Sequence, residues 1–309
     1  MAIFIRLHNA YGDRLAREIT AGLAGEELRW WPDPGNPEDI DIAVIWRMPH
    51  GFLKPFRNLK LIVGTGAGID HFLLDPDLPR HVPMVRVMGE DFGRRMADYI
   101  ACWTLFHHRD IAHFLAAQRA HEWAYRTMRS THEVSVGVMG LGQMGATACR
   151  HLVNLGYAVR GWSRTPKAID GVTCFAGPDG FRDFLAGTEI LVNLLPLTPE
   201  TANILSAPTF AHLPDGAVLI SAGRGGHLVE ADVLAALASG RLRAATIDAF
   251  PREPLPDDHP FWDHPGVYVT PHASGTASLE TIVHSVVENV RRLRAGEPLF
   301  NLVDIEKGY

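Results

Sequence analysis

The chain has 309 residues, 47% of them hydrophobic, a formal net charge of −6 and no low-complexity stretch. That length and composition describe two ordinary globular domains better than one large one. The 29 Lys and Arg residues are scattered rather than gathered in one stripe, which argues against nucleic acid as a partner and leaves any phosphate binding to local positive charges. No apolar run approaches membrane-spanning length, and Met1 to Leu7 is too short and too quickly polar for a signal peptide, so a soluble, cytoplasmic chain with no membrane partner is expected. Cys102, Cys149 and Cys174 are an odd number without a C-x-x-C, most simply small buried hydrophobes. The 16 histidines form no H-E-x-x-H and join no cysteine at ligand spacing, so no metal site is expected.

Taken in chain order, Ala2 to Leu7, Ile42 to Trp46, Leu61 to Val63 and Met84 to Val87 are strand-type runs. Arg14 to Leu23 has helical spacing, and the stretch from Trp31 to Pro37 is rich in breakers. Met96, Tyr99, Ile100, Trp103, His107, Ile111, Phe114 and Leu115 then recur at three- and four-residue steps, which predicts one long helix. Its aromatic stripe fits packing within the chain, a subunit interface, or both. Further strands are expected at Val134 to Met139, Ala158 to Trp162, Ile190 to Leu194, Ala217 to Ser221, Ala245 to Asp248 and Val267 to Thr270. Helices are expected at Ala146 to Leu155, Ala231 to Ala238 and Leu279 to Leu293, closed by Gly156, Gly240 and Gly296 respectively. The last of these is expected to return to the N-terminal domain.

Gly140-Leu141-Gly142-Gln143-Met144-Gly145 lies between the first of those later strands and the helix after it. A G-x-G-x-x-G alone is a weak signal, but a strand before it and a helix after it give it the context of a dinucleotide site. The glycines permit a tight turn and close backbone approach, and the helix N-terminus offers N–H groups to a pyrophosphate.

Three polar residues follow the later strands: Arg224 in Ser221-Ala222-Gly223-Arg224-Gly225-Gly226, Glu253 after the strand ending at Asp248, and His272 in Thr270-Pro271-His272. Such positions are where the strand C-termini of a doubly wound sheet deliver functional groups. An arginine presents a planar fork suited to a carboxylate. Taken singly, each has an ordinary alternative: a surface charge, a loop carboxylate and a satisfied turn histidine.

These motifs together resemble the D-2-hydroxyacid dehydrogenase family, and within it are most similar to the glyoxylate/hydroxypyruvate reductase A type. The likeness runs nearly end to end, through Gly64-Thr65-Gly66-Ala67-Gly68-Ile69-Asp70, Met96-Ala97-Asp98-Tyr99, the Gly140 turn, Trp162-Ser163-Arg164-Thr165, Asn193-Leu194-Leu195-Pro196, the Arg224 loop, Glu253-Pro254-Leu255-Pro256 and Thr270-Pro271-His272, to the terminal Lys307-Gly308-Tyr309. It implies an α/β chain of two Rossmann-like doubly wound parallel-sheet domains with a cleft between them. Residues 1–99 and 276–309 would form a discontinuous, flavodoxin-like substrate-binding domain, and residues 100–275 the Rossmann dinucleotide-binding domain.

The implied chemistry is reduction of a small 2-keto acid to the D-2-hydroxy acid by hydride transfer. His272 donates a proton to the keto oxygen, Glu253 holds the imidazole and favours its charged form, and Arg224 grips the substrate carboxylate. Backbone N–H groups of Ala67 and Gly68 would complete the carboxylate cradle, and Trp46 resembles a pocket tryptophan, or is simple core. Coenzyme contacts are expected from Gly140, Gly142, Gln143, Met144, Gly145, Ser163, Arg164, Leu195, Pro196, Ala222, Gly223 and Asp248, the last of which could equally cap a loop. Trp123 lies where relatives send an aromatic toward a neighbouring subunit, or is core; a homodimer is the implied assembly.

An NAD site usually carries Asp or Glu about 20 residues beyond the glycines. Here Ser163 and Arg164 stand there, and a hydroxyl with a guanidinium suits a 2′-phosphate that a carboxylate would repel. NADPH is therefore expected over NADH, with NADH still possible. Ser221, Gly223 and Ala273-Ser274-Gly275 depart from the usual family residues and bear on substrate preference. Two alternatives stand beside this reading: an NAD-linked dehydrogenase for D-lactate or D-glycerate, and a nucleotide-sensing scaffold of the same fold.

Overall fold

Short apolar runs and amphipathic helices alternate along the chain, and in the computed structural model the runs pair into two sheets in which every strand is parallel to its neighbours. The structure describes residues 1–7, 12–46 and 48–305; the Lys307-Gly308-Tyr309 likeness lies outside them. Two compact units result, residues 1–92 with 276–309 and residues 93–275.

The first unit contains β1 (Ala2–Arg6), α1 (Gly12–Gly22), β2 (Glu27–Trp30), β3 (Ile40–Ile45), β4 (Leu61–Gly64), the short α2 (Asp70–Leu73) and β5 (Met84–Arg86). Its sheet runs β2-β1-β3-β4-β5. β3 and β4 are buried at every residue, as central parallel strands covered on both faces must be. β2 is absent from the sequence expectation because it is a four-residue edge strand with Glu27 exposed and no buried face. A helix from the far end of the chain, Leu279–Ala295, closes this unit against α1: a Cβ on Gly22 would sit 2.5 Å from Val287 Cγ2. Ser278 caps it by accepting from Thr281 N at 3.1 Å. Its Arg294 donates to Glu26 Oε1 at 3.0 Å and to the fully buried Asp41 of β3 at 3.1 Å, so the one buried carboxylate of that strand is paired.

α3 (Glu90–His108) leads into the second unit and is followed by α4 (Ile111–Ala120). The expected single helix is therefore two. Asp110 takes a left-handed backbone (φ 51°), ends the first and starts the second, and its carboxylate pairs with Arg126; Asp tolerates this conformation better than most residues. The break also ends the buried stripe. Met96, Ala97, Ile100, Thr104 and His107 are buried, whereas Ile111, Phe114 and Leu115 are exposed. Cys102 faces away from that stripe and is exposed, and Cys174 is half-buried, so only Cys149 is the buried hydrophobe expected of all three.

The second unit continues through β6 (Ser135–Met139), α5 (Gln143–Asn154), β7 (Ala158–Ser163), β8 (Val172–Ala176), α6 (Gly177–Ala186), β9 (Ile190–Asn193), α7 (Ala207–Phe210), β10 (Ala217–Ser221), α8 (Glu230–Ala238), β11 (Leu242–Ile247) and β12 (Val267–Val269). Its order is β12-β11-β10-β9-β6-β7-β8. The chain winds outward in opposite directions from the β6/β9 pair, which makes that pair the switch point of the sheet. β8, the other strand not foreseen, is again an edge strand with no fully buried residue. The core beneath the switch point is built from Val136, Val138, Ile190, Val192, Val218 and Ile220. The final helix is α9 in this numbering.

His107, 3% exposed, is bonded through Nε2 to Thr246 Oγ1 at 2.8 Å. Burial, and then the neighbouring Arg243, push its pKa down to about 3. Below its ordinary value of 6.5 the unfolded chain binds a proton that the folded chain refuses, so this site's stability is present above pH 6.5 and is lost as pH falls toward about 3. The slope from this one group is ~1.4 kcal/mol per pH unit. Denaturant unfolding across that range is expected to show a steeper acid loss in the native protein than in His107→Gln; identical slopes would contradict the assignment.

Candidate active site

Parallel strands that share one sheet end on one edge, and every residue of interest in the second unit follows such an end. After β6, Gly140 adopts φ +96°, and a Cβ there would lie 2.8 Å from Leu194 O in the turn that follows β9. A Cβ on Gly145 would overlap Gly140 O at 1.7 Å, so this glycine lets α5 close on the strand. A Cβ on Gly142, in contrast, would meet nothing within 4 Å. The outer two glycines are consumed by the fold, and the middle one leaves open space at the N-terminus of α5, where the first-turn N–H groups have no partner within the helix. That is the arrangement a dinucleotide pyrophosphate fits.

At the end of β7, Ser163 is buried and donates to Thr165 O at 2.8 Å, while Arg164 is exposed. Glu200 is within electrostatic reach: its carboxyl is held below the usual range first by a hydrogen bond with Thr198, then by a backbone N–H, with the Arg164 charge contributing. No carboxylate occupies the strand end itself.

The loops after β10, β11 and β12 are mutually braced. A Cβ on Gly225 would lie 1.9 Å from the carbonyl carbon of Phe250, so the loop bearing Arg224 presses backbone to backbone on the loop bearing Glu253. Arg224 turns one guanidinium nitrogen onto Gly223 O at 2.9 Å. Glu253 accepts from Phe250 N at 3.2 Å and takes the His272 ring nitrogen Nδ1 between its two oxygens, at 2.8 and 3.1 Å. A carboxylate only accepts, so Nδ1 carries the hydrogen and Nε2 is the nitrogen left to exchange a proton elsewhere. The His272 side chain is 37% exposed and that of Glu253 is 23% exposed, which leaves the imidazole reachable with its brace largely covered.

His272 itself sits at φ 54°, an uncommon conformation for a non-glycine residue that surrounding bonds must enforce. Asp248 enforces it. This residue, 1% exposed, accepts from His272 N with its backbone oxygen at 2.8 Å. Its carboxylate accepts from Ala273 N at 2.8 Å, Ser274 N at 3.0 Å and Thr270 Oγ1 at 2.5 Å. Since Thr270 spends its hydrogen on Asp248, Tyr99 must be the donor in their 2.7 Å bond. Burial, reinforced by the Asp248 charge, pushes the Tyr99 phenol well up from its ordinary range. Asp248 thus caps the His272 loop, and Tyr99 and Thr270 belong to a network that no local motif announces.

Two further residues escape sequence reasoning. Asn193, at the end of β9, and His227, three residues after Arg224, are both fully buried. Asn193 donates to His227 Nδ1 at 3.0 Å and to Ser221 Oγ at 3.4 Å, and accepts from Leu195 N at 3.2 Å. The visible signal is an amide at a strand end and a histidine in a glycine loop, neither informative alone.

In the first unit, the loop after β4 lies under Trp46. A Cβ on Gly66 would overlap the indole at 1.8 Å, and the same ring packs on His71 with centroids 4.8 Å apart. Trp46 is half-buried, and Ala67 is 7% exposed. Trp123 is wholly exposed, which removes the core alternative for it.

A family profile for the D-isomer specific 2-hydroxyacid dehydrogenase NAD binding domain matches residues 102–274. Glyoxylate/hydroxypyruvate reductase A of Serratia proteamaculans is 39% identical over 303 residues, 95% of this chain and 96% of that protein. A D-isomer specific 2-hydroxyacid dehydrogenase from Xanthobacter autotrophicus Py2, solved in complex with NADPH and MES, is 42% identical with a TM-score of 0.93, covering 100% of this chain and 99% of that one. An NADPH-dependent glyoxylate/hydroxypyruvate reductase from Sinorhizobium meliloti, in complex with NADP and sulfate, is 36% identical with a TM-score of 0.93 and full coverage of both chains (100% each).

Gly225→Ala is expected to force the Arg224 and Glu253 loops apart at a cost of about 1–3 kcal/mol, visible as a lowered denaturation midpoint. An unchanged midpoint would mean that the loops do not press on one another.

Proposed function

The chain belongs to the D-isomer specific 2-hydroxyacid dehydrogenases, NAD(P)-dependent oxidoreductases, and on that premise we propose that it uses NADPH to reduce a small 2-keto acid, such as glyoxylate or hydroxypyruvate, to the D-2-hydroxy acid. The observation that carries the proposal is the two-oxygen grip of Glu253 on His272 Nδ1. It fixes the tautomer and orientation of an accessible imidazole.

In this reading His272 delivers the proton from Nε2 to the keto oxygen while Glu253 steadies the imidazolium. Arg224 holds the substrate carboxylate and stabilises negative charge as it develops on the keto oxygen. Asp248 holds the His272 loop and faces the nicotinamide amide. Substrate-binding roles also fall to Trp46 and to the backbone N–H groups of Ala67 and Gly68. The coenzyme, when bound, supplies the hydride. Its pyrophosphate takes the Gly140 to Gly145 turn, with Leu195, Pro196, Ala222 and Gly223 along its course, and Ser163 and Arg164 take the 2′-phosphate. The preference for NADPH is supported by the missing carboxylate after β7 and by the NADPH and NADP held by the two solved relatives. A homodimer is part of the proposal, supported by the exposed Ile111, Phe114, Leu115, Trp123 and Tyr125 along one stretch of chain.

Steady-state kinetics with both reduced nicotinamides and a panel of 2-keto acids tests the whole reading. kcat/KM with NADPH is expected to exceed that with NADH, and Arg164→Ala to shrink the ratio by about tenfold; equal efficiency with NADH removes Arg164 from its role. His272→Ala is expected to lower kcat by about 10²–10⁴-fold with NADPH affinity nearly intact. An active variant would take the proton-donor role away from His272.

A further inference from the structure

Resting on the reading above, we infer that His227 is a positioning residue: a neutral imidazole of fixed tautomer that couples the loop carrying Arg224 to the Leu195-Pro196 loop expected to contact the coenzyme. The tautomer follows from its neighbours. Arg224 N, a backbone group that can only donate, points at His227 Nδ1 from 3.1 Å, and Asn193 Nδ2 points at the same atom from 3.0 Å. The orientation of that amide is fixed in turn, because Asn193 Oδ1 accepts from Leu195 N at 3.2 Å. Nδ1 is therefore the acceptor, and Nε2 carries the hydrogen, which it donates to Pro196 O at 3.2 Å.

The strut has no slack. His227 is 0% exposed. A Cβ on Gly223 would sit 2.8 Å from both Asn193 Nδ2 and His227 Nδ1, so the glycine at this position gives the pair its room. Leu205 N donates to His227 O at 2.9 Å and Asn203 N to Gly226 O at 2.9 Å, tying the chain beyond Pro196 to the same turn. Thr201 Oγ1 adds a second bond to Pro196 O at 2.7 Å. One ring therefore sets two distances, from the β9 turn to the Arg224 backbone and from that backbone to Pro196.

The two nitrogens can be removed separately. Asn at this position keeps an acceptor near Nδ1 and loses the Nε2 donor; Gln keeps a donor near Nε2 and loses the acceptor. His227→Gln is expected to raise the keto-acid KM roughly tenfold with NADP⁺ affinity little changed, and His227→Asn to weaken NADP⁺ binding roughly tenfold with the keto-acid KM little changed. Binding of NADP⁺ is measured directly by calorimetry, without turnover. In the unmutated protein, ¹⁵N spectra should show a His227 ring with a bare Nδ1 and a protonated Nε2, assigned by its disappearance in either variant. A protonated Nδ1, or two variants that lower the melting temperature alike and leave both binding constants untouched, would overturn the inference. Absence of keto-acid turnover in the unmutated enzyme would instead overturn the proposed reaction, and the spectra and NADP⁺ affinities would still decide the strut.

Discussion

Seven strands running the same way must release their chain ends at one edge, and that constraint organises the candidate site. The turns after β6, β7, β9, β10, β11 and β12 deliver the glycine turn, Arg164, Asn193, Arg224, Asp248 with Glu253, and His272 to a single rim. Backbone contact then sets their spacing. Gly140 against Leu194, and Gly225 against Phe250, are places where two turns touch main chain to main chain. A side chain at either position would widen the rim by the thickness of a methyl group, and catalysis that depends on near-attack geometry tolerates little displacement.

What is legible in the sequence follows from how each signal arises. Buried central strands and amphipathic helices show in hydrophobic spacing, so β3, β4, β6, β9 and β10 and the helices α1, α5, α8 and α9 fall where periodicity puts them. The edge strands β2 and β8 have no buried residue to leave such a trace, unlike the edge strands β5 and β12, which is why only the first two are invisible to it. The break between α3 and α4 is hidden for another reason. A helical stripe continues through Asp110 in the sequence, but the backbone there is left-handed, and only exposure of Ile111, Phe114 and Leu115 reveals that the stripe has stopped serving the core.

The site divides in the same manner. Residues announced by local motifs, such as the Gly140 turn, Arg224, Glu253 and His272, are legible from their chain neighbours alone. Their supports are not, because a support is defined by a bond across sequence distance: Tyr99 to Thr270, Asn193 to His227 and His227 to Pro196 span 171, 34 and 31 residues. Asp248 shows the limit from the other side. Its place after a strand is visible in the sequence, yet the loop it braces, with two backbone donors and a hydroxyl on its carboxylate, depends on where Thr270, Ala273 and Ser274 come to lie.

The two histidines of the rim then show how partners, not residue type, assign chemistry. His272 faces an acceptor at Nδ1, so that nitrogen keeps its hydrogen, and the side chain stays open to solvent. His227 faces two donors at the equivalent atom and is sealed from solvent, so protonation there would set three hydrogens against one another. One ring leaves its Nε2 open beside solvent and the other has both nitrogens committed. A proton on His227 Nδ1 would also place a second positive charge on the loop that already carries Arg224, at an atom met by two donors and sealed from solvent.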